Sequence, residues 1–190
     1  MEYSRKQFFK VFAREMLRSF SGEVEKDTSL QEEPEETKIK VIRPPGAAET
    51  STLITLCATC QKECVHACPE KAISLLNEEF GLEEGTPFLS PAQKPCRWCK
   101  DFPCVEACPT DALLFHRIQP IAKAEIDLEL CATSQGILCD YCAHLCPSHI
   151  RAIKMVNRKP VLEESLCVGC GMCAYHCDQF PSPIAIRIQG

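Results

Sequence analysis

Sixteen of the 190 residues are cysteine, and they fall in four runs of four with none left over. The first run is Cys57, Cys60, Cys64 and Cys68, and the second is Cys96, Cys99, Cys104 and Cys108. The third is Cys131, Cys139, Cys142 and Cys146, and the fourth is Cys167, Cys170, Cys173 and Cys177. Thiolate is a soft ligand that selects zinc, copper(I) or iron–sulfur clusters. A disulfide scaffold spreads its cysteines to staple distant segments of a short chain. Neighbours two or three residues apart pair poorly with each other and converge readily on one centre, which favours metal over disulfides. Spacing then separates the metals. Structural zinc joins two Cys-x-x-Cys knuckles from well-separated places. The fourth run, "CVGCGMCAYHC", has the Cys-x2-Cys-x2-Cys-x3-Cys spacing of a bacterial ferredoxin, lacking only the proline after its last cysteine. The other runs carry that proline, as Pro69, Pro109 and Pro147. No Cys-x-x-Cys is followed by histidine, which excludes c-type haem.

This spacing has a geometric reason. Three closely spaced cysteines wrap three irons of one cubane, and a fourth, stopped by proline, reaches a second cluster. Gly169 and Gly171 fit a backbone that passes close to a cluster. Sixteen thiolates would cap every iron of four [4Fe–4S] clusters, so no iron is left open for substrate and single-electron transfer remains. Each oxidised cluster with its thiolates carries a charge of about −2. That favours partners with basic docking patches. Seven residues separate Cys131 from Cys139. Counting assigns Cys131 to the cluster held by Cys139 and Cys142, with Cys146 reaching across to a partner cluster and Gly136 turning the loop back. Trp98, inside "CRWC", is expected to pack over its cluster and screen it from water. His66, His144 and His176 stand within runs as candidate tuning groups that the ligand count does not need. There is no nucleophile–base constellation and no phosphate-binding glycine loop.

The elements that position these thiols repeat with the runs. First cysteines step by 39, 35 and 36 residues, the mark of one structural unit used four times. A short apolar strand follows each run: "KAISLL", "DALLFH", "RAIKMV" and "IAIRI". After the first three, a turn and a second extended piece lead on. "AKAEIDLEL" among these alternates apolar and polar residues as a half-buried strand does. Short helical turns are expected at "CVHAC" and "CVEAC", with two-stranded ribbons between runs. The fold class is therefore α+β, small and loop-rich, built of tandem bacterial-ferredoxin-like units (two 2[4Fe–4S] modules) with an N-terminal helix. Residues 46–128 would form the first module and 129–190 the second.

Residues 1–21 read as an amphipathic basic helix. Phe8, Phe12, Met16 and Phe20 share a face beside a stripe of Lys6, Lys10, Arg14 and Arg18. It could lie on an anionic membrane, dock on a partner, or pack on its own domain. Residues 22–45 read as an acidic and proline-containing linker, with seven acids from Glu23 to Glu36. "SRKQFFK" resembles a twin-arginine export signal, but Lys6 replaces the second arginine and charges interrupt the apolar stretch that should follow. The expectation is a retained, cytoplasmic protein, with peripheral membrane contact through residues 1–21 left open. A net charge of −5 gives no footprint for nucleic acid.

Four stretches carry a family resemblance: "RPPGA", "PCRWCKDFPCVEACPTDAL", "CATSQGILCDYCAHLCP" and "CVGCGMCAYHC". Over about residues 41–190 the chain resembles the MauM/NapG type of ferredoxin-like proteins in the order and spacing of all four runs. That resemblance implies an electron-transfer protein with four [4Fe–4S] clusters. It also implies redox partners: a membrane quinol-oxidising iron–sulfur protein, or a reductase or dehydrogenase in an anaerobic or respiratory chain. The family usually carries an intact twin-arginine signal, from which this N-terminus departs. The alternative function is a cytoplasmic ferredoxin-type maturation factor for a partner reductase. A tandem arrangement pairs the first run with the second and the third with the fourth. The iron–sulfur subunits of molybdopterin oxidoreductases instead pair outer with outer and inner with inner.

Overall fold

Proline after a cysteine run forces the preceding residue out of the helical region, and the chain obeys. In the computed structural model, which describes residues 41–188, each run carries one short helix that stops before its last cysteine. The first of these, α2, spans Glu63–Ala67, and Cys68 follows it in an extended conformation before Pro69. Three more do the same work: α3 over Pro103–Glu106, α4 over Tyr141–Leu145 and α5 over Met172–Tyr175. One helix, α1 over Thr50–Cys57, precedes them. The amphipathic helix and most of the acidic linker expected upstream lie outside the described residues.

Six short strands form three two-stranded antiparallel sheets. Strands β1, Ile73–Leu75, and β2, Pro87–Leu89, pair as one hairpin. Strands β4, Ile153–Val156, and β5, Lys159–Leu162, pair as another. The second hairpin turns through Asn157 and Arg158, at φ +49° and +65°, the double left-handed conformation that matches strand twist in a two-residue turn. The third sheet joins β3, Lys123–Ile126, to β6, Ile184–Arg187, with Lys123 opposite Arg187 and Ile126 opposite Ile184.

This pairing departs from the expected ribbons. "DALLFH" does not pair with "AKAEIDLEL". Its Leu113 bridges to Ala47 instead, while β3 pairs with the C-terminal strand. Both halves of the chain thus follow one plan: the outer segments pair with each other around a central hairpin. The physical reason is burial. Leu113 (1% exposed) and Ala124 (3% exposed) each need a covered face, and they find it in separate cores. Strand β3 lies upstream of residue 129, where the second module was expected to begin.

The proline segment expected as a stiff linker is docked rather than free. Pro44 and Pro45 are fully buried. Ile42 bridges to Leu89, and the Arg43 guanidinium binds Glu83, the Thr86 hydroxyl and the Pro87 carbonyl. The two halves also touch directly. Cys96 N–H donates to the Cys170 carbonyl at 2.8 Å, and Ile121 N–H donates to the Val168 carbonyl at 3.1 Å. His149 Nε2–H donates to the Trp98 carbonyl at 2.8 Å. No helix among the described residues is long and apolar enough to cross a membrane.

Candidate iron–sulfur centres

Short helices and tight turns bring thiols of one run together and send the last thiol of each run elsewhere. All sixteen thiols are free. Cys131, Cys139, Cys142 and Cys177 line one cavity of about 200 Å³. Cys146, Cys167, Cys170 and Cys173 line a second, and Cys68, Cys96, Cys99 and Cys104 a third. Cys57, Cys60 and Cys108 pack in one apolar cluster with Leu53, and Cys57, Cys60 and Cys108 all bear on the Cys64 thiol. Each set therefore takes three thiols from one run and the fourth from its neighbour. The first and second runs exchange Cys68 and Cys108. The third and fourth exchange Cys146 and Cys177.

The electrostatics follow from this crowding. Burial, reinforced by neighbouring thiols, pushes Cys64 and Cys173 up to about 12. Burial likewise pushes Cys96 up to about 12, and Cys104, Cys142 and Cys170 up to about 11. Buried thiols such as Cys64 and Cys173, crowded by their neighbours, need a positively charged centre before they can lose their protons. Among the described residues, no three Cys, His, Asp or Glu side chains converge closely enough to share a single ion. Zinc would gather sulfurs at about 2.3 Å from one point. Soft thiol donors gathered in fours fit iron–sulfur clusters.

Backbone N–H groups already point at several sulfurs. Ala72, Leu113 and Ala152 donate to Cys68, Cys108 and Cys146 at 3.3, 3.4 and 3.2 Å. Those are the last cysteines of the three runs that end in proline, and each donor opens the segment that follows. Ala124 N–H donates to Cys167 at 3.3 Å, and Trp98 N–H to Cys96 at 3.4 Å. Such bonds favour the thiolate and tune the potential of what it holds.

Packing puts the sets in a row. Cys64 of the first set and Cys104 of the second share one buried core. Cys96 of the second donates its N–H to the Cys170 carbonyl of the fourth, and Cys173 of the fourth shares a core with Cys142 of the third. The order in space is first, second, fourth, third, with the Cys96–Cys170 hydrogen bond at the central joint. Trp98, 7% exposed, seals that joint. It meets Phe102 edge-to-face at 5.3 Å and packs with Val168 and Cys170. Gly171 allows the halves to close, because a Cβ there would lie 2.4 Å from Pro91 Cβ. Trp98 and Gly171 stand out in the sequence as neighbours of a cluster, and the structure places both at this joint.

The remaining sequence candidates divide. Cys131 is buried (8% exposed) in the third set, and its loop turns at Gly136, φ +80°, after a single 3-10 turn. The Thr133 hydroxyl lies 3.2 Å from the Cys131 sulfur. His66 and His144 are exposed, and His144 faces Asp140 at 3.9 Å. His176 stacks edge-on against Tyr175. His149, which the sequence reading passed over, is the histidine that bonds the central joint.

Comparison with known proteins finds ferredoxin-type relatives. The chain is 32% identical over 198 residues to the methylamine utilization ferredoxin-type protein MauM of Methylobacillus flagellatus, covering 97% of this chain and 82% of that protein. It is 36% identical over 152 residues to MauM of Paracoccus denitrificans, covering 73% and 67%. It is 31% identical over 185 residues to the ferredoxin-type protein NapG of Escherichia coli, covering 87% and 79%. No protein-family model and no solved structure matches the chain. Ferredoxin-type relatives and sixteen cysteines together point to bound iron–sulfur clusters.

Proposed function

Since the chain belongs to the MauM/NapG family of ferredoxin-type proteins, we propose that it is an electron-transfer protein holding four [4Fe–4S] clusters in two tandem ferredoxin-like modules. The observation that carries this reading is the exchange of the fourth thiol within each pair of runs. Sets Cys57/Cys60/Cys64/Cys108 and Cys68/Cys96/Cys99/Cys104 would serve the first module. Sets Cys131/Cys139/Cys142/Cys177 and Cys146/Cys167/Cys170/Cys173 would serve the second. That crossing is what a two-cluster ferredoxin does with its last cysteine, and the paired outer segments around a central hairpin repeat in both halves in support.

Each bound cluster supplies reversible one-electron redox chemistry at a potential set by its surroundings. The protein's own groups set those surroundings. N–H donors from Ala72, Leu113, Ala124 and Ala152 hold negative charge on sulfur. Lys123 Nζ, 2.6 Å from the carbonyls of both Glu164 and Cys167, fixes the approach to the fourth run and adds positive charge beside it. Trp98 and Phe102 exclude water from the joint. With four thiols for each core, the chain has no open ligand position for a substrate, so it serves as an electron carrier between redox partners in a respiratory or anaerobic chain.

The test is iron and acid-labile sulfide analysis of protein purified without oxygen, followed by redox titration monitored by EPR. About sixteen irons and sixteen sulfides per chain with reversible reduction is the expected result. A colourless, zinc-loaded protein, or iron that cannot be reversibly reduced, would overturn the reading.

A further inference from the structure

We propose that the mouth of the third thiol set is a docking face for a redox partner whose surface presents an apolar patch ringed by lysines or arginines. The proposal rests on the electron-transfer reading above and adds where the partner binds. Three observations carry it.

The first is exposed apolar surface gathered at one place. Ile137 (53%), Leu138 (78%) and Tyr141 (55%) are exposed, and all three line the cavity of Cys131, Cys139, Cys142 and Cys177. Leu128 and Leu130 stand exposed just before Cys131, and Phe180, fully exposed, stands three residues after Cys177. Large apolar side chains concentrated around an opening mark an interaction site.

The second is the sign of the charge around that opening. From residue 124 to 150, and again from 163 to 186, the sequence has no lysine or arginine. Asp127, Glu129, Asp140 and Asp178 are exposed in those stretches. Asp178 is the one Asp, Glu, Lys or Arg among the cavity-lining residues. The nearest cations along the chain to a lining residue are Arg158 and Lys159, beside Pro160 at the hairpin turn. The first half is different: Lys62, Lys71, Lys94, Arg97 and Lys100 interleave with its acids. An acidic rim around an apolar centre selects a partner with the opposite pattern and speeds its approach. It also disfavours an anionic membrane as the occupant.

The third is position. The second and fourth sets are pressed together at the Cys96–Cys170 hydrogen bond, which leaves the third set at an end of the row. An end set that opens through an apolar mouth is where an electron can leave or arrive without crossing the rest of the protein.

A lysine-rich ferric c-type cytochrome is the probe. Each encounter moves one electron from the dithionite-reduced, iron-loaded protein to the ferric haem, which becomes ferrous. Two readouts are taken: the second-order rate by stopped flow, and zero-length carbodiimide cross-links from carboxylates to cytochrome lysines, mapped by mass spectrometry. Cross-links are expected at Asp127, Glu129, Asp140 and Asp178. The rate should fall about tenfold or more between about 10 mM and 200 mM salt. Glu129→Lys should slow it about threefold or more at low salt, and Leu138→Ala with Phe180→Ala about fivefold, each rate being taken per iron-loaded protein from the iron content measured for that variant. Cross-links confined to first-half carboxylates such as Glu63, Glu70 or Glu106, or rates indifferent to these variants, overturn the proposal. So does binding to phosphatidylcholine–phosphatidylglycerol vesicles that Leu138→Ala abolishes, which would make the mouth a membrane face. A dimer in analytical ultracentrifugation that the same variant dissociates would make it a self-association face, with the same consequence. Failure of the underlying reading looks different: iron content far short of four clusters, or no reversible reduction, whatever the cross-link map shows.

Discussion

Removing Cys146 and Cys167 together should cost one cluster, although the two residues belong to different runs. Cys146 closes the third run, but it lines the cavity of Cys167, Cys170 and Cys173. Its sulfur accepts the Ala152 N–H at 3.2 Å, which holds it toward the fourth run. Cys146→Ser alone removes one of four ligands from that set, and the expected product is a three-iron centre, with about 15 of about 16 irons retained. Cys167→Ser alone should do the same to the same set. In the double variant that set keeps two thiols, too few to hold a cubane, so about 12 irons remain and only one cluster signal disappears. If the runs kept their own cysteines, the two substitutions would strike different clusters. Two altered centres would then appear, and iron would range from about 14, if both became three-iron forms, to about 8, if both were lost. Non-additivity of this kind is the signature of groups acting in one site. Iron analysis with EPR spin quantitation on the two single variants and the double reads it directly. The opposite pattern, with Cys146→Ser non-additive with Cys139→Ser and additive with Cys167→Ser, would refute the crossed assignment. The reciprocal pair in that half, Cys177→Ser with Cys142→Ser, should behave like the first.

Other consequences are independent of that experiment. Cys131→Ser should convert the third set to a three-iron form or empty it; unchanged iron and an unchanged EPR spectrum would make Cys131 a bystander. Gly171→Ala places a Cβ 2.4 Å from Pro91 Cβ at φ +84°, which should cost about 2–5 kcal/mol in strain and overpacking. Faster iron release to a chelator should report it, whereas Gly136→Ala, with nothing within 4 Å of its new Cβ, should cost only the backbone strain. Iron-free reduced protein should lose stability as pH rises from about 9 toward 12. Burial holds Cys64 and Cys173 near 12 when folded, against an ordinary 9.0, so the folded chain binds protons that the unfolded chain releases in that window. A thermal midpoint that rises over the same range would contradict this.

The parts of this architecture that depend on single residues were legible, and the parts that depend on partner choice were not. Proline after Cys68, Cys108 and Cys146 announced where three of the four run helices stop. The alternation of "AKAEIDLEL" announced a strand. Alternation does not say which edge a strand will take, however. "DALLFH" and Lys123–Ile126 are separated by a span that could have held a ribbon, and tertiary burial sent them to Ala47 and to Ile184–Arg187 instead. Helix α1 was missed for a different reason. Its sequence, "TSTLITLC", is rich in β-branched residues that lose side-chain freedom in a helix. What holds it is burial of Leu53 and Cys57, four residues apart on one face, a signal hidden because Cys57 was counted as a ligand.

The acidic apolar mouth shows most plainly what one dimension conceals. Leu128 and Leu130 precede Cys131, Ile137 and Leu138 precede Cys139, and Phe180 lies far beyond them in sequence. Apolar residues scattered in this way on a surface need no explanation. Ile137 and Leu138 meet the C-terminal segment because Cys177 lies with the third run's thiols, so that Asp178, Gln179, Pro183 and Ile184 line the same cavity. On the proposed assignment, exchange of the last thiol between runs would both complete each donor set and fold together the surface proposed for docking. A chain whose runs kept their own last cysteines would have no need to bring those two segments together, so the crossing and the docking face stand or fall as consequences of one topology.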